Sequence, residues 1–167
     1  MAATTLMMST TEIIDLALNS ATGFDAAKLT DYILPAQREY LKPYLSKTFY
    51  DDLLADIAGS TLDADSSALL NDYLKPMMAH YIVYDAFPEV QMNITSKGIM
   101  KNTSETAQAA SGAESAVLRN NKFVMAERWK KNATTYIEES QDLDSTKFPD
   151  FSKVLDKTSN KNGIIFY

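Results

Sequence analysis

The chain has 167 residues, 46% hydrophobic and 23% charged, with a formal net charge of −6 and a pI near 4.7; that length suits one globular domain with a real core. The absence of cysteine excludes disulfides, thiolate metal sites and a thiol nucleophile, and the acidic balance disfavours gripping a phosphate backbone, though not surrounding a duplex. No apolar run approaches the roughly 20 residues of a membrane span, and Met1 to Ser9 lacks the basic start and apolar stretch of a signal peptide, so the chain is expected to be made in a cytosol.

The first helix is expected over about residues 10–18. Ser9-Thr10-Thr11-Glu12 has capping-box form, in which the hydroxyl takes a free backbone N–H and the Glu reaches back. Residues 19–24 read as a loop, and Asp25 can cap a second helix running to about Leu41. Its apolar stripe is Leu29, Ile33, Ala36 and Tyr40, the spacing of one helical face, widened by Tyr32. Pro43 breaks the pattern. Ser46 to Ala58 then forms a third helix, with Phe49, Leu53, Leu54 and Ile57 as buried candidates and Gly59 as its end, and a polar loop follows to about Asp65.

The fourth helix, about residues 66–87, is apolar over most of its circumference. Leu69, Leu70, Tyr73, Leu74, Met77, Met78, Tyr81 and Ile82 recur in two adjacent rows, a breadth that suits a helix contacted from several sides. Pro88 stops it. Between about 90 and 102, Val90, Met92 and Ile94 alternate with polar residues ahead of Ser96-Lys97-Gly98 and Ile99-Met100. This reads as a small β-hairpin in which Gly98 supplies a positive φ. Ser111-Gly112-Ala113-Glu114 opens a long fifth helix to about Ser140, whose stripe is Leu118, Met125, Trp129, Ala133 and Tyr136, interrupted only by Lys122. From Gln141 the chain is loop-like and ends in Gly163-Ile164-Ile165-Phe166-Tyr167.

Leu29 to Tyr40 and Leu70 to Tyr81 share one pattern: Leu-x-Asp-Tyr, an apolar residue, x-Pro, then a Tyr five places on. At about 100° per residue, Pro35 and Pro76 fall on the side away from their stripes. Each helix is therefore expected to bend there, convex to solvent, and to curve around the core. Parallel structural demand accounts for this echo better than a duplicated binding unit does.

His80 is the only histidine. It lies at the edge of an almost wholly apolar helix with no second histidine to complete a metal pair, and is read as a core or interface residue. The sequence has no Gly-x-Ser-x-Gly elbow and no Gly-rich phosphate loop. Asp51-Asp52 and Glu138-Glu139 are helix neighbours pointing about 100° apart, so neither pair converges. Asp63-Ala64-Asp65-Ser66-Ser67 lacks the central Gly and distant Glu of a calcium loop and reads as an acidic helix start. No catalytic, cofactor or metal residue is assigned, and no enzymatic activity is expected. Lys122, Arg128, Lys130 and Lys131 beside Trp129 form a modest basic patch, read as the solvated face of an amphipathic helix. The terminal Ile-Ile-Phe-Tyr would cost roughly 1.5–3 kcal/mol per side chain to leave in water, so it must dock on its own domain or insert into another chain.

The segment from Ile33 to Leu54 (Ile33-Leu-Pro-Ala-Gln-Arg-Glu-Tyr-Leu-Lys-Pro-Tyr-Leu-Ser-Lys-Thr-Phe-Tyr-Asp-Asp-Leu54) resembles the opening helices of head–tail connector (adaptor) proteins of tailed bacteriophages. Those read as an apolar helix carrying Ala and Tyr, a Leu-Gly turn, then an aromatic-rich segment leading to Leu; here Ser46 stands where the family often has Gly. The order of elements is similar as well: a further helix from Leu69 to Phe87, a short excursion with a Gly, a long helix from Glu114 to Glu139 and an extended arm. The Pro35-Ala36-Gln37-x-x-Tyr40 stretch is also similar to structural proteins of Bacteroidetes phages, including crAss-like ones. The resemblance implies a homo-oligomeric ring of about twelve copies beneath the portal protein, with DNA passing through without sequence-specific binding. It implies, too, that hairpins or C-terminal arms dock on the portal or on the next tail or neck protein. Carried over by position, the contact residues would be Gln91, Met92, Ile94, Gly98, Ile99 and Met100 in the hairpin. In the arm they would be Gly163, Ile164, Ile165, Phe166 and Tyr167.

The expected architecture is thus all-α: a helical bundle of four to five helices with proline-bent central helices, a small β-hairpin excursion and an extended C-terminal arm. Residues 1–140 would form the connector domain and 141–167 the arm. The expected role is that of a virion structural protein in the neck of the particle, with no cofactor and no membrane contact. The alternative is a free-standing helical protein-binding module or regulator, monomeric or dimeric, which self-association would tell apart.

Overall fold

Five helical runs dominate the structure, a computed structural model that describes residues 5–18, 26–88, 100–102, 107–109 and 112–151. The all-α class is as expected. Helix α1 covers residues 10–18, α-helical over Thr10–Ile13 and π-helical over Ile14–Leu18. Its capping box forms: Ser9 Oγ accepts from Glu12 N at 3.3 Å, and Ser9 N donates to Glu12 Oε2 at 2.7 Å. Glu12 also pairs with Lys75 Nζ at 2.7 Å. Partial burial pushes its pKa up, but the lysine and Ser9 outweigh that and hold it below the usual value.

Helix α2 covers residues 26–45: a 3₁₀ turn at Ala26–Leu29, α-helix over Thr30–Ala36, a π turn at Gln37–Leu41 and α-helix again over Lys42–Leu45. Its expected face is buried at Leu29, Ile33 and Ala36, with Tyr40 half-buried. Helix α3 is Lys47–Gly59. Helix α4 covers residues 64–85: Ala64–Ala68, a π turn at Leu69–Leu74, then Lys75–Asp85.

The helix does not stop at Pro43, and the reason is shared with α4. Both π turns lead into the same four residues, Tyr40-Leu41-Lys42-Pro43 and Tyr73-Leu74-Lys75-Pro76. In each, the lysine N–H donates five residues back, Lys42 to Gln37 O and Lys75 to Leu70 O. A proline has no N–H to give, and its ring crowds the carbonyl four places before it. The wider turn moves that carbonyl aside, so the helix continues through the proline. The structural counterpart of Pro76 is therefore Pro43, not Pro35. Pro76 itself is buried instead of facing solvent, because α4 is covered all round: residues 76–83 are all buried.

Ser46 joins α2 to α3 at φ 74°, ψ 161°, a region essentially reserved for glycine and costing other residues roughly 1–3 kcal/mol. Its hydroxyl offsets part of this. Ser46 Oγ accepts from Phe49 N at 3.4 Å, capping α3, and donates to Asp150 O at 3.0 Å. Phe49, Tyr50 and Leu53 of α3 are buried, with Leu54 and Ile57 partly so.

Helix α5, Gly112–Leu143, runs against α4, its main neighbour. The face it buries is Ser115, Ala126, Ala133, Ile137 and Ser140, which corrects the expected stripe. Leu118 and Met125 are 42% and 37% exposed, while Trp129 and Tyr136 are partly buried. The bulk on this contact comes from α4, so α5 reaches it mainly through small side chains, and its larger ones turn aside.

Among the described residues the β structure is one antiparallel pair, β1 Met100–Asn102 with β2 Ala107–Ala109, in register Met100↔Ala109, Lys101↔Gln108, Asn102↔Ala107. It is not the hairpin expected over residues 90–102. Residues 100–102 pair with 107–109, and the turn expected at Gly98 lies within 89–99, outside the described residues. After α5 the chain folds back: Phe151 packs on Tyr44 and Phe148 on Phe49, with ring centroids 5.6 and 5.7 Å apart. Among the described residues no helix is long and apolar enough to cross a membrane.

Candidate interaction surface

A groove of about 550 Å³ opens between α1, α4 and α5. Its apolar wall is Leu16, Pro76, Met125 and Trp129, and its polar groups are Asn71, Asp72, His80 and Lys122. His80 is 7% exposed, and its Nδ1 is buried with no hydrogen-bond partner. Burial pushes the imidazole pKa down from its ordinary 6.5 to about 4, helped by the charge of Lys122. At neutral pH the ring is uncharged.

Lys122, expected on a solvated face, instead turns inward. Its Nζ donates to Ala17 O at 2.6 Å, tying α5 to the last turn of α1, where a cation suits the helix dipole. Burial lowers its pKa. The lining brings an imidazole, an ammonium, an amide and a carboxylate around an apolar floor, without a serine among them. No group of His, Asp and Glu among the described residues could hold a metal ion.

On the other flank of α5 an aromatic seam locks three helices together. Tyr40 of α2 stacks flat on Tyr81 of α4, centroids 4.0 Å apart. Tyr40 Oη donates to Asp85 Oδ1 at 3.0 Å, and Tyr81 Oη donates to Glu127 of α5. Burial first, and then these carboxylates, raise both phenol pKa values. Burial also raises that of Asp85, against the pull of the Tyr40 hydrogen bond. Tyr44, whose Oη lies 3.0 Å from Thr134 Oγ1, is pushed up to about 12 by burial. These hydroxyls are occupied in holding the helices together.

The groove continues onto open surface. Val117 and Leu118, and seven residues later Val124 and Met125, form two apolar pairs on the outer side of α5, with Val117 60% exposed. Met125 belongs to both groove and stripe, and Leu16 of α1, on the groove wall, is 37% exposed. Exposed apolar surface of this kind is what a partner can cover. Leu118 and Met125, expected to face inward, instead lie on this stripe. The available signal was a competing small-residue row, Ala126, Ala133 and Ser140, at seven-residue spacing.

Of the residues expected to make contacts, Gln91, Met92, Ile94, Gly98 and Ile99 lie outside the described residues, as do Gly163, Ile164, Ile165, Phe166 and Tyr167. Met100 opens β1. None of them is brought to the groove or the stripe by what is described.

The described residues define an all-α domain with an open apolar stripe on α5. The chain belongs to the Family of unknown function (DUF6712), which it matches over residues 41–160, from the end of the π turn in α2 through α5 and past it. No curated protein and no solved structure matches it.

Proposed function

We propose that the protein is a head–tail connector subunit of a tailed bacteriophage, a virion structural protein of the neck. In this reading copies assemble into a ring beneath the portal protein, DNA passes through without being read, and the next tail or neck protein docks below. The observation that carries it is the turn at Ser46. At the place where connector proteins often have Gly after Leu, the backbone adopts a conformation that glycine favours. Three further features support the reading. The helices follow the order the resemblance implies. The net charge of −6 suits a wall that keeps DNA off it. The stripe on α5 leaves apolar surface for a neighbour to cover. The finer architecture belongs to the same proposal: a bundle with a hairpin excursion carrying Gln91 to Met100, and a C-terminal arm ending in Gly163 to Tyr167, as portal and tail contacts.

Electron microscopy of the purified full chain tests this. Rings with an open centre are expected, and antibody to the protein should label virions at the neck. A particle that stays monomeric or dimeric at every concentration, with unlabelled virions, would instead favour a free-standing binding module.

A further inference from the structure

We infer that the outer face of the N-terminal half of α5 is one side of a head-to-tail contact between copies of this chain. The other side is the acidic surface of α3 and the start of α4. The inference rests on the ring reading above and specifies the contact that would build it.

Charge is segregated along the molecule. Residues 112–131 carry five Lys or Arg against two Glu, whereas residues 47–72 carry one Lys against six Asp. Arg128 and Lys131, beside the apolar stripe, have no ion pair among the described residues, and neither has Asp52 on the exposed side of α3. Asp51 pairs with the exposed Lys47 at 2.9 Å, feels the charge of Lys42 more weakly, and can exchange partners.

The two surfaces lie at different ends of α5. The acidic one is anchored near its C-terminal end, where Tyr136 Oη donates to Asp65 O and Lys147 pairs with Asp65 at 2.7 Å. The stripe is centred some fifteen residues earlier, roughly 20 Å along the axis. A two-fold contact of the stripe with itself would set Arg128 and Lys131 against the start of α5 in the other copy, which offers them a single carboxylate, Glu114, and would leave the acidic surface uncovered. Meeting the acidic surface of another copy pairs them, and lets Val117, Val124 and Met125 cover the partly buried Ile57 and Leu62. A contact between unlike surfaces leaves one of each free on every pair, so it repeats and can close into a ring.

The test is sedimentation velocity on the full chain and two reversed variants, Arg128→Glu with Lys131→Glu and Asp51→Lys with Asp52→Lys. All four positions are exposed, and helical circular dichroism should match that of the native chain. Each variant alone should associate at least about tenfold more weakly, because like charges then face one another. Mixing the two variants should restore association, since each supplies the surface the other needs. Assembly indifferent to both reversals, or lost in both and not recovered on mixing, overturns the contact while leaving the ring reading standing. A native chain that never assembles overturns both.

Discussion

Helices α4 and α5 pack along each other yet use their apolar residues in opposite ways. Along α4 every side chain from Pro76 to Val83 is buried, polar His80 included. Along α5 the buried seam is Ser115, Ala126, Ala133, Ile137 and Ser140, while Val117, Leu118, Val124 and Met125 stay open. The difference follows from neighbours. α1, α2 and α5 all close on α4, whereas α5 has α4 along one side and its outer face uncovered. The apolar content of a helix says how much surface it could bury; only its surroundings say how much it does.

The sharpest way to break that comparison is to cut into α4. Met77 is fully buried, and Met77→Ala should cost about 2–5 kcal/mol in urea unfolding followed by circular dichroism. A loss below about 1 kcal/mol would mean that α4 is not the closed centre of the fold.

A smaller effect is expected at His80, where the two helices meet the groove. Its ring is neutral in the fold with a pKa of about 4, against 6.5 when free. Between those values the unfolded chain binds a proton that the folded one refuses. The contribution is therefore whole above about pH 6.5 and is lost as pH falls toward 4. Allowing for the ring's opening onto the groove, the native chain should lose about 2 kcal/mol across that window relative to His80→Met. Parallel curves for the two proteins would show the imidazole to be charged or solvated.

The smallest change in stability should come from the stripe. Val117→Ser with Val124→Ser should leave unfolding within about 0.5 kcal/mol of the native chain while weakening self-association in sedimentation. A loss above about 1 kcal/mol would mean that these valines are covered within their own chain, and the contrast with α4 would fall.

Much of the helical plan was legible because its signals are local. The Ser9 capping box, the inward faces of α2 and α3 and the all-round apolarity of α4 follow from spacing within a few turns. The π turns escaped detection because a wider turn changes the hydrogen-bond partner without disturbing the apolar rows. In α2 and α4 their marker was nonetheless present, as the repeated Tyr-Leu-Lys-Pro, whereas the π turn of α1 has no such motif. The candidate surface was harder to see. Leu118, Met125, Trp129, Ala133 and Tyr136 make as good a stripe as the small-residue seam that was actually chosen.

The amino-acid sequence by itself determined where helices begin and which helix is apolar on every side, since each depends on atoms a turn or two apart. The tertiary structure alone decided that α5 meets α4 through small side chains, that Lys122 turns in to the Ala17 carbonyl, and that His80 is buried with one nitrogen unpartnered. Those outcomes depend on the shape and polarity of a neighbour brought in from tens of residues away, and no periodicity within a single helix carries that information.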